Sequence, residues 1–580
     1  ARMATCPRDR AALRGKHATA TLICMALVFS VLLSCAQAVP LNRKAQDSGI
    51  AGHFREIVVA VKSKAPHLAF EQAFQDTSSL PRSQEHLTLS QICDVFGPSP
   101  ASVEAVAQWA SSFGGHISEK TTCQDFVVVR MPAHQLGNAF LGAEGLVCDE
   151  EGGGCNMAAA IPPSIRHAVD FADGIGAPKP APLSFTRRAA HRDFNPASRR
   201  LRQTQHGSED ADKKHKHGPW YPVCLKEAST PPCLKQAYNV SDDAAPSHGS
   251  QGVALFGGQF FSPSDLKSFD DKYKLTYKAV HVMNDNKESE PGNEATLDVE
   301  YITGMANGEL TTTFMHYACT SEDCKPFLHW IMQQANNSDA PLVQSVSVGT
   351  TEYEYVEAMG EQYLERINQE FMKAGMRGIS LLFATGDKAS QIYNHKYWIN
   401  FPSASPYVTA VGGVWLGELG YGPLSVDPDT TGGFANYEAH KQLAFQKSAV
   451  TAYLAEAKKS KAKQPEHFNA TLRAVPDVSA MSDAYLIIQH GSETWIGGTS
   501  AACPVVAGIM SILNDARIAA GKGPLGYLND FLYKNPHCFQ DIESGANAYE
   551  AVKGWDPASG LGTPVGDCLL KAALAEEGLQ

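Results

Sequence analysis

The chain has 580 residues, a formal net charge of -12, and 43% apolar and 19% charged residues, which is typical of a globular protein. A chain of this length is too long to fold around a single hydrophobic core, so we expect at least two domains. The acidic charge argues against nucleic acid as a partner, and no run of 18 or more uncharged apolar residues beyond the N-terminus predicts a membrane span in the mature protein.

The N-terminal segment has the pattern of a secretory signal peptide. Four basic residues between positions 8 and 16 precede an apolar run over residues 22–33, and Ala36-Gln37-Ala38 then offers a cleavage site with small residues at its first and third positions. The apolar run is short for a membrane anchor. We therefore assign residues 1–38 to a signal peptide region, which directs the protein into the secretory pathway.

Residues 39–175 are expected to form a small α/β unit. Apolar runs at 56–61 and 126–130 predict strands, and apolar residues at helical spacing over 101–113 predict a helix between them. Residues 176–218 differ in composition, because alternating prolines at 178, 180 and 182 are followed by clusters of basic residues. Such a segment cannot bury a core and is accessible to proteases, so we interpret it as an activation linker. The alternative is a plain interdomain spacer.

Residues 219–580 have the pattern of a larger α/β domain. Strands are predicted at 342–348 and 380–384, with a helix over 355–374 between them. Apolar strands that alternate with longer helical segments predict a parallel sheet with helices on both faces.

Two carboxyl groups share one face of a predicted helix in this domain. Glu294, Leu297, Asp298 and Tyr301 are spaced so that a helix places them on one stripe, which we expect to be at least partly buried. Repulsion and burial raise the pKa values of such a pair, and the two groups can share a proton. The pair can then act as a general base at acidic pH. The alternative is a solvated acidic face.

A second carboxyl candidate follows the predicted strand at 380–384. Thr385-Gly386-Asp387 forms the turn after that strand, at the edge of the sheet where ligands of parallel α/β folds collect. A protonated Asp387 can donate a hydrogen bond to an oxyanion. The alternative is a turn aspartate without a chemical role.

The candidate nucleophile is Ser500. Small residues at 497–499 precede it and an apolar helical run follows, so that a substrate backbone can approach closely and the start of the helix offers free N–H groups. A histidine base is the alternative to the carboxyl pair. His206, His248 and His490 each precede Gly-Ser, but none stands at a convincing apolar helix start.

Taken together, these segments resemble the sedolisin family of serine-carboxyl peptidases, including its lysosomal branch. The family pattern occurs in order over residues 50–580, at Glu294/Asp298, 385–387, 401–413, 432–434, 475–480 and 497–500. The resemblance implies a subtilisin-like parallel sheet preceded by a ferredoxin-like α+β prodomain over residues 39–175, with the catalytic domain at 219–580.

The resemblance also implies the roles of the catalytic residues. Ser500 attacks the scissile carbonyl, Glu294 takes its proton, Asp298 supports Glu294, and a protonated Asp387 stabilises the oxyanion. Carboxylate bases suit an acidic compartment, because a histidine would be charged there. We therefore expect a lysosome-like or extracellular location.

Two positions depart from the family pattern. Gly497 replaces a serine, and Lys388 follows Asp387. A cation beside Asp387 favours the ionised carboxylate, which cannot donate a hydrogen bond. Adjacent side chains of an extended segment point to opposite sides, so Lys388 is harmless if it faces away.

A calcium site is expected near the C-terminus. Aspartates in glycine-rich turns supply the oxygen ligands that hard cations take. The resemblance implies one structural Ca²⁺ held by the Asp541 and Asp556 carboxylates and by the Ile542, Val552 and Gly554 carbonyls.

The cysteines indicate an oxidising compartment. The close pairs Cys224/Cys233 and Cys319/Cys324 suggest disulfides. Seven cysteines follow residue 218, so one thiol is left over, and Cys503 is our candidate for it.

The predicted function is that of an acid serine-carboxyl peptidase made as a zymogen. We expect it to release tripeptides from free N-termini of peptides or unfolded proteins, with its own prodomain as intramolecular inhibitor. One alternative is an endopeptidase of the same family. Another is a catalytically weak relative that acts as a binding or regulatory protein.

Overall fold

The computed structural model describes residues 54–79, 86–140, 147–148, 155–156, 161–173, 184–185, 228–241, 248–317, 326–416 and 423–575. We call residues 54–173 the N-terminal unit and residues 228–575, which contain the candidate catalytic residues, the catalytic unit. The predicted signal peptide and all of the predicted linker except residues 184–185 lie outside the described residues.

The N-terminal unit is built on a four-stranded antiparallel sheet with the order β2-β3-β1-β6. Its strands are β1 (Phe54–Val61), β2 (His116–Lys120), β3 (Phe126–Pro132), the short β4 (Val147–Cys148) and β5 (Cys155–Asn156), and β6 (Val169–Asp173). Its helices are α1 (His67–Ser79), α2 (Leu89–Phe96), α3 (Pro100–Ser112) and α4 (Leu136–Ala139). The predicted strands and helix of this unit are therefore confirmed.

Successive side chains of β1 point to opposite faces of the sheet and pack into two separate hydrophobic clusters. Ile57, Val59 and Val61 pack with Val106 and other residues of helix α3 on one face of the sheet. On the opposite face, Ala60 joins a cluster that includes helices α1 and α2 and also side chains of the catalytic unit. The N-terminal unit thus shares a hydrophobic core with the catalytic unit.

The catalytic unit contains the remaining elements. Its helices are α5 (Pro231–Ala237), α6 (Pro263–Tyr273), α7 (Asn293–Met305), α8 (Pro326–Ala335), α9 (Glu352–Met359), α10 (Glu361–Met376), α11 (Ala444–Ser460), α12 (Thr499–Ala519), α13 (Asn529–Lys534) and α14 (Gly566–Leu574). After β7 (Ser184–Phe185), its strands are β8 (Ser250–Phe256), β9 (His281–Met283), β10 (Thr311–Tyr317), β11 (Val343–Val346), β12 (Val348–Thr351), β13 (Ser380–Ala384), β14 (Gln391–Tyr393), β15 (Lys396–Trp398), β16 (Asn400–Phe401), β17 (Thr409–Trp415), β18 (Ser425–Val426), β19 (Gly433–Phe434), β20 (Ala474–Val475), β21 (Val478–Met481), β22 (Tyr485–Gln489), β23 (Ser492–Ile496), β24 (Phe539–Gln540) and β25 (Thr563–Pro564).

The central sheet has the order β18-β17-β13-β11-β8-β10-β9, with β21 also paired to β17. All pairs are parallel except β17–β18. Val253 and Leu255 of β8 pack on the face covered by α7 and α12, whereas Ala254 and Phe256 pack on the face covered by α8 and α10. The predicted parallel sheet with helices on both faces is confirmed.

Two predicted elements are divided in the structure. The helix predicted over 355–374 is two helices, α9 and α10, because Gly360 between them has a φ of 83° that a continuing helix cannot accommodate. The strand predicted over 342–348 ends at Val346, and β12 leaves the central sheet to pair with β16 and β7. Hydrophobic periodicity is continuous across both breaks and therefore does not predict them.

Helices α7 and α12 lie side by side in the core. Gly508 of α12 approaches α7 so closely that an added Cβ would lie 2.6 Å from the Cβ of Met305. Among the described residues, α12 is the one helix long and apolar enough to cross a membrane, but 83% of its apolar window is buried inside the protein. Its apolar character is explained by its place in the core.

The disulfides agree in part with the predictions. Cys93–Cys123 joins two parts of the N-terminal unit and Cys538–Cys568 joins two parts of the catalytic unit. Cys503 is free and buried, as predicted. Cys233 is disulfide-bonded. The predicted pair Cys319/Cys324, like Cys224, lies outside the described residues.

Candidate active site

Helix α7 carries both carboxyl candidates in a buried environment. Glu294 is 1% exposed and Asp298 is 0% exposed, so the alternative of a solvated acidic face is wrong. The helix begins after Gly292, without a side-chain cap, and the N–H of Glu294 donates to Oε1 of Gln259 at 3.2 Å. Burial on all sides of this helix forces the two acidic groups into the core.

Asp298 is the more completely enclosed of the two. Its Oδ1 accepts a hydrogen bond of 2.9 Å from the Ser347 hydroxyl, and its Oδ2 is buried without a hydrogen bond. Burial raises the pKa of Asp298 well above its usual range, and the bond from Ser347 opposes this shift. The Asp298 carboxyl therefore holds a proton more readily than an exposed carboxyl does.

Ser500 lies in the first turn of helix α12 and is fully buried. Gly498, with a φ of 123°, allows the sharp turn into this helix. The Ser500 hydroxyl donates to the carbonyl oxygen of Ser347 at 3.4 Å, and the Ser347 hydroxyl in turn lies 3.4 Å from the carbonyl oxygen of Ser500. Ser347 thus contacts both the candidate nucleophile and Asp298.

Ser347 was not among the site residues predicted from the sequence. It follows β11 directly, at the carboxyl end of a parallel strand in the middle of the sheet. Polar residues at the carboxyl ends of strands commonly line the ligand-binding sites of this fold class. That position is the signal that would have identified Ser347.

The N-termini of α7 and α12 meet at this edge of the sheet. Ser347 contacts Asp298 and Ser500 at one end of the helix pair, while Met305 and Gly508 touch further along. Burial raises the pKa of the Cys503 thiol to about 12, and the charges of Asp298 and Glu294 add to that rise. The charges of both carboxyl groups therefore reach the N-terminal part of α12.

Asp387 also lies at the start of helix α12. Its Oδ1 accepts hydrogen bonds from the backbone N–H and the hydroxyl of Thr499, at 2.7 and 2.8 Å. The preceding Gly386 has a φ of 107°, and an added Cβ would lie 2.0 Å from Nδ2 of Asn400. Glycine is required here, because Asn400 occupies that space to donate to the Thr385 carbonyl at 2.8 Å.

The two departures from the family pattern have local explanations. The side chain of Lys388 is exposed, whereas Oδ2 of Asp387 is buried, so the amine is solvated. At Gly497 an added Cβ would lie 2.7 Å from the carbonyl oxygen of Ser482. The backbone at Gly497 therefore lies close to the Ser482 carbonyl, at a position where the family carries a serine.

A short strand from the predicted linker lies along the site. Ser184 and Phe185 form β7, which pairs antiparallel with Gly349 and Val348 of β12. Val348 follows Ser347 in the chain. An extended peptide segment therefore occupies the strand edge next to the candidate nucleophile.

The predicted calcium ligands lie in neighbouring turns. Oδ2 of Asp541 accepts from the Gly554 N–H at 2.7 Å, and its Oδ1 is buried without a hydrogen bond. Asp556 is fully buried and accepts from the Val552 and Ser559 N–H groups. Burial raises the pKa of Asp541 and raises that of Asp556 to about 7.

Away from the predicted calcium ligands, one group of side chains in the described part of the chain has its ligand atoms close enough together to hold a metal ion. It consists of His537, Cys538 and Cys568. The two cysteines form a disulfide and therefore offer no thiolate ligands.

Comparison with known proteins gives consistent matches. Residues 54–144 match the family described as Pro-kumamolisin, activation domain. Tripeptidyl-peptidase 1 of Mus musculus is 32% identical over 542 residues, and that of Homo sapiens is 31% identical over 540 residues. Each match covers 87% of this chain and 88% of the relative. The solved structure of Pseudomonas sedolisin (serine-carboxyl proteinase) complexed with two molecules of pseudo-iodotyrostatin matches 59% of this chain and 96% of its own, at 22% identity and a TM-score of 0.47.

Proposed function

The chain belongs to the sedolisin family of serine-type peptidases that includes tripeptidyl-peptidase 1, and on this premise we propose that it removes tripeptides from the free N-termini of polypeptides. The observation that carries the proposal is the position of Ser347, whose hydroxyl reaches Asp298 and whose carbonyl accepts from Ser500. The Ser500 hydroxyl and the buried Asp298 carboxyl both reach Ser347, without an intervening imidazole.

In the proposed reaction, Glu294 accepts the Ser500 proton while the serine oxygen bonds to the scissile carbonyl carbon. Asp298 supports Glu294 by sharing its proton, which its buried position favours. The tetrahedral intermediate collapses as Glu294 returns the proton to the departing amine. Water, deprotonated by the same carboxylate, then hydrolyses the acyl-enzyme and regenerates Ser500.

Asp387 is the proposed oxyanion stabiliser. Because its Oδ1 accepts two hydrogen bonds from Thr499, the proton of the neutral acid belongs on Oδ2. That proton is then available to the oxyanion next to Ser500. The arrangement works only while Asp387 is protonated, so acidic conditions favour it.

Location and maturation follow from the same chemistry. We propose a lysosome-like acidic compartment or the outside of the cell, reached through a signal peptide at 1–38. Residues 39–175 are proposed as the prodomain, 176–218 as the activation linker and 219–580 as the catalytic domain. The shared core between the two units supports inhibition of the zymogen by its own prodomain.

An endopeptidase is the second candidate, and the linker strand favours it. Ser184 and Phe185 belong to an internal segment of the chain, yet they pair with the strand edge beside Ser347. A groove that accepts an internal segment can also accept the interior of a substrate.

A peptide assay distinguishes the candidates. The precursor is activated at about pH 4, which is close to the usual pKa of a carboxyl group. It is then tested on the same peptide with a free and with a blocked N-terminus. Cleavage of the free peptide alone supports tripeptide release, and cleavage of both supports the endopeptidase. If the activity equals that of Ser500→Ala, both proposals fail and a binding protein is favoured.

We also propose one structural Ca²⁺ at the C-terminal turns. The buried, unbonded Oδ1 of Asp541 and the adjacent Asp556 fit a hard cation, together with the Ile542, Val552 and Gly554 carbonyls. Desolvation raises the pKa values of both carboxyl groups, and a bound cation would favour their charged forms. The ion would connect the turn at Asp541 to the turn at 552–556.

A further inference from the structure

The edge of strand β12 that receives the linker strand leads from the candidate nucleophile to the start of helix α9. Strand β7 runs antiparallel to β12 and pairs with Val348 and Gly349. Ser347, whose carbonyl oxygen accepts from Ser500, directly precedes Val348. A peptide that binds in the direction of β7 therefore approaches Ser500 with its C-terminal part, while its N-terminal part lies along β12.

This pairing fixes where the first residue of a tripeptide unit lies. The substrate residue opposite Val348 is the last one that pairs with β12 before Ser500, so it contributes the scissile carbonyl. In an antiparallel pair each further residue of the peptide lies opposite the next residue of the strand. The second and third residues before the cleaved bond therefore lie opposite Gly349 and Thr350. The amino nitrogen of the third residue lies at the edge of β12 between Thr350 and Thr351.

The N–H of Thr351 faces the same edge of β12. The next N–H, that of Glu352, donates to the Ile399 carbonyl at 3.0 Å, on the opposite side of β12 where β16 pairs. Thr351 is extended, with φ of -60° and ψ of 146°. Successive N–H groups of an extended chain point to opposite sides, so the Thr351 N–H points to the side of β7. If the antiparallel pairing continued, this N–H would donate to the carbonyl oxygen of a fourth substrate residue.

The carboxylate of Glu354 takes the place of that carbonyl oxygen. Its Oε2 accepts from the Thr351 N–H at 3.4 Å, from the Thr351 hydroxyl at 2.8 Å and from the Thr350 hydroxyl at 2.7 Å. The bonds to Thr351 belong to the capping box of α9. The bond to Thr350 is no part of that box and draws the carboxylate back along β12. The described pairing of β7 stops short of it, at Gly349.

The Glu354 carboxylate is ionised and can accept a further donor. Burial raises the pKa of Glu354, but hydrogen bonds from two threonines and Tyr393 outweigh this effect and lower that pKa. Its Oε1 accepts from the Tyr393 hydroxyl at 3.0 Å, and the same hydroxyl lies 3.0 Å from Oε1 of Gln391. A carboxylate oxygen has more than one lone pair, so Oε1 of Glu354 has capacity for another N–H.

Aromatic rings surround the Tyr393 hydroxyl. The Tyr393 ring stacks on Tyr353 with centroids 4.9 Å apart, and Trp398 packs against Tyr353 at 5.4 Å. Tyr393 and Trp398 belong to the two strands of the hairpin β14–β15. These rings are partly exposed, as Glu354 is, so a ligand can reach them. A carboxylate beside aromatic rings is a combination that attracts ammonium groups.

We propose that Glu354 binds the N-terminal ammonium group of the substrate, three residues before the cleaved bond, and closes the edge of β12 to a fourth residue. An ammonium group supplies N–H donors to the carboxylate, whereas a fourth residue would bring its carbonyl oxygen against another acceptor. The inference rests on the proposed tripeptide release and names the residue that sets its length. Glu354 is thus a specificity-determining residue and takes no part in the transfer of the Ser500 proton.

The test removes the charge of Glu354 and keeps its cap. Glu354→Gln does so, because a glutamine also completes a capping box. The activated enzyme is assayed on one peptide with a free N-terminus, on its acetylated form, and on its des-amino form, in which hydrogen replaces the ammonium group without added bulk. Glu357→Gln, at an exposed glutamate of the same helix, is the matched control. The melting temperature shows whether each variant is folded.

We expect the parent to prefer the free peptide over the des-amino peptide by about 10- to 100-fold in kcat/KM, as loss of a hydrogen bond between charged groups implies. In Glu354→Gln the two values should become nearly equal, through a higher KM on the free peptide with little change in kcat. Glu357→Gln should match the parent. An unchanged preference in a folded Glu354→Gln would overturn the inference, while tripeptide release would stand.

Failure of the proposed function gives a different result in the same assay. A parent that cleaves none of the peptides, or that cleaves the free and acetylated forms equally, refutes tripeptide release and the inference with it. If Glu354→Gln does not fold, Thr350→Val decides, because it removes the bond that draws the carboxylate along β12 and leaves the capping box in place. We expect it to lower the preference for the free peptide by about threefold or more. An unchanged preference in Thr350→Val would then overturn the inference.

Discussion

Asp387 accepts two hydrogen bonds from Thr499, the residue that precedes Ser500 at the start of helix α12. One carboxyl oxygen is thereby occupied by a backbone and a hydroxyl donor, and the other oxygen is buried. The carboxyl is held at the position where the helix would otherwise offer unsatisfied N–H groups. This relationship leads to the first prediction.

Replacement of Asp387 should distinguish a hydrogen-bond donor from a charge. We expect Asp387→Ala to lower kcat by about 10²- to 10³-fold, as loss of an oxyanion donor does. Asp387→Asn should lose less, because its amide donates at every pH. The ratio of the Asn variant to wild type should therefore rise with pH in a pH–rate profile. A ratio that is constant across the profile would contradict the donor role.

Glu294→Gln should abolish turnover and leave the fold intact. An amide cannot accept the Ser500 proton, and loss of a general base lowers the rate by about 10²- to 10⁴-fold. The measurements are kcat on an unblocked peptide and the melting temperature. Glu288→Gln, at an exposed glutamate, is the control and should retain full activity. Full activity of Glu294→Gln would refute its assignment as the base.

Ser347→Ala should shift the acidic limb of the pH–rate profile. The Ser347 hydroxyl lowers the pKa of Asp298 against the rise caused by burial, so its removal raises that pKa further. Asp298 then stays protonated to a higher pH, and we expect the acidic limb to move upward. The measurement is kcat against pH for both proteins. A profile that only decreases in height, without a shift along the pH axis, would show that Ser347 has no effect on the titration of Asp298.

Asp125→Asn should destabilise the contact between the two units in a pH-dependent way. Burial raises the pKa of Asp125, but the charges of Lys373 and Arg366 outweigh it and lower the pKa to about 2. A lowered pKa contributes stability that is present above the usual value of 3.8 and lost as the pH falls toward 2. We expect a loss of about 3 kcal/mol near neutral pH, which shrinks below about pH 4.

Urea unfolding of the full chain in the Ser500→Ala background measures this loss. Asp94→Asn, at an exposed aspartate of the N-terminal unit, is the control and should change little. A loss that is equal at neutral and at acidic pH would argue that the charge of Asp125 is not its cause.

Removal of calcium should lower the melting temperature of the catalytic unit. Without an ion, the Asp541 and Asp556 carboxyl groups keep pKa values that desolvation raises. We expect chelation to lower the melting temperature and added Ca²⁺ to restore it, while Asp541→Asn should make the protein insensitive to both. An unchanged melt after chelation would count against the metal site.

The sequence by itself determined the order of elements and the chemical types at the candidate site. The alternation of apolar strands and helices predicts the parallel sheet, because burial of both sheet faces requires that pattern. The acidic stripe on α7, the turn at Asp387 and the small residues before Ser500 are local features of neighbouring residues. Local features of this kind are visible without a structure.

The tertiary structure alone decided which distant groups meet. Ser347 contacts Asp298 and Ser500 across separations of 49 and 153 residues, and Lys373 pairs with Asp125 across 248 residues. A hydrogen bond requires an orientation as well as a residue type, and hydrophobic periodicity carries no information about orientation between distant segments. The division at Gly360 and the departure of β12 from the central sheet depend in the same way on packing between distant segments.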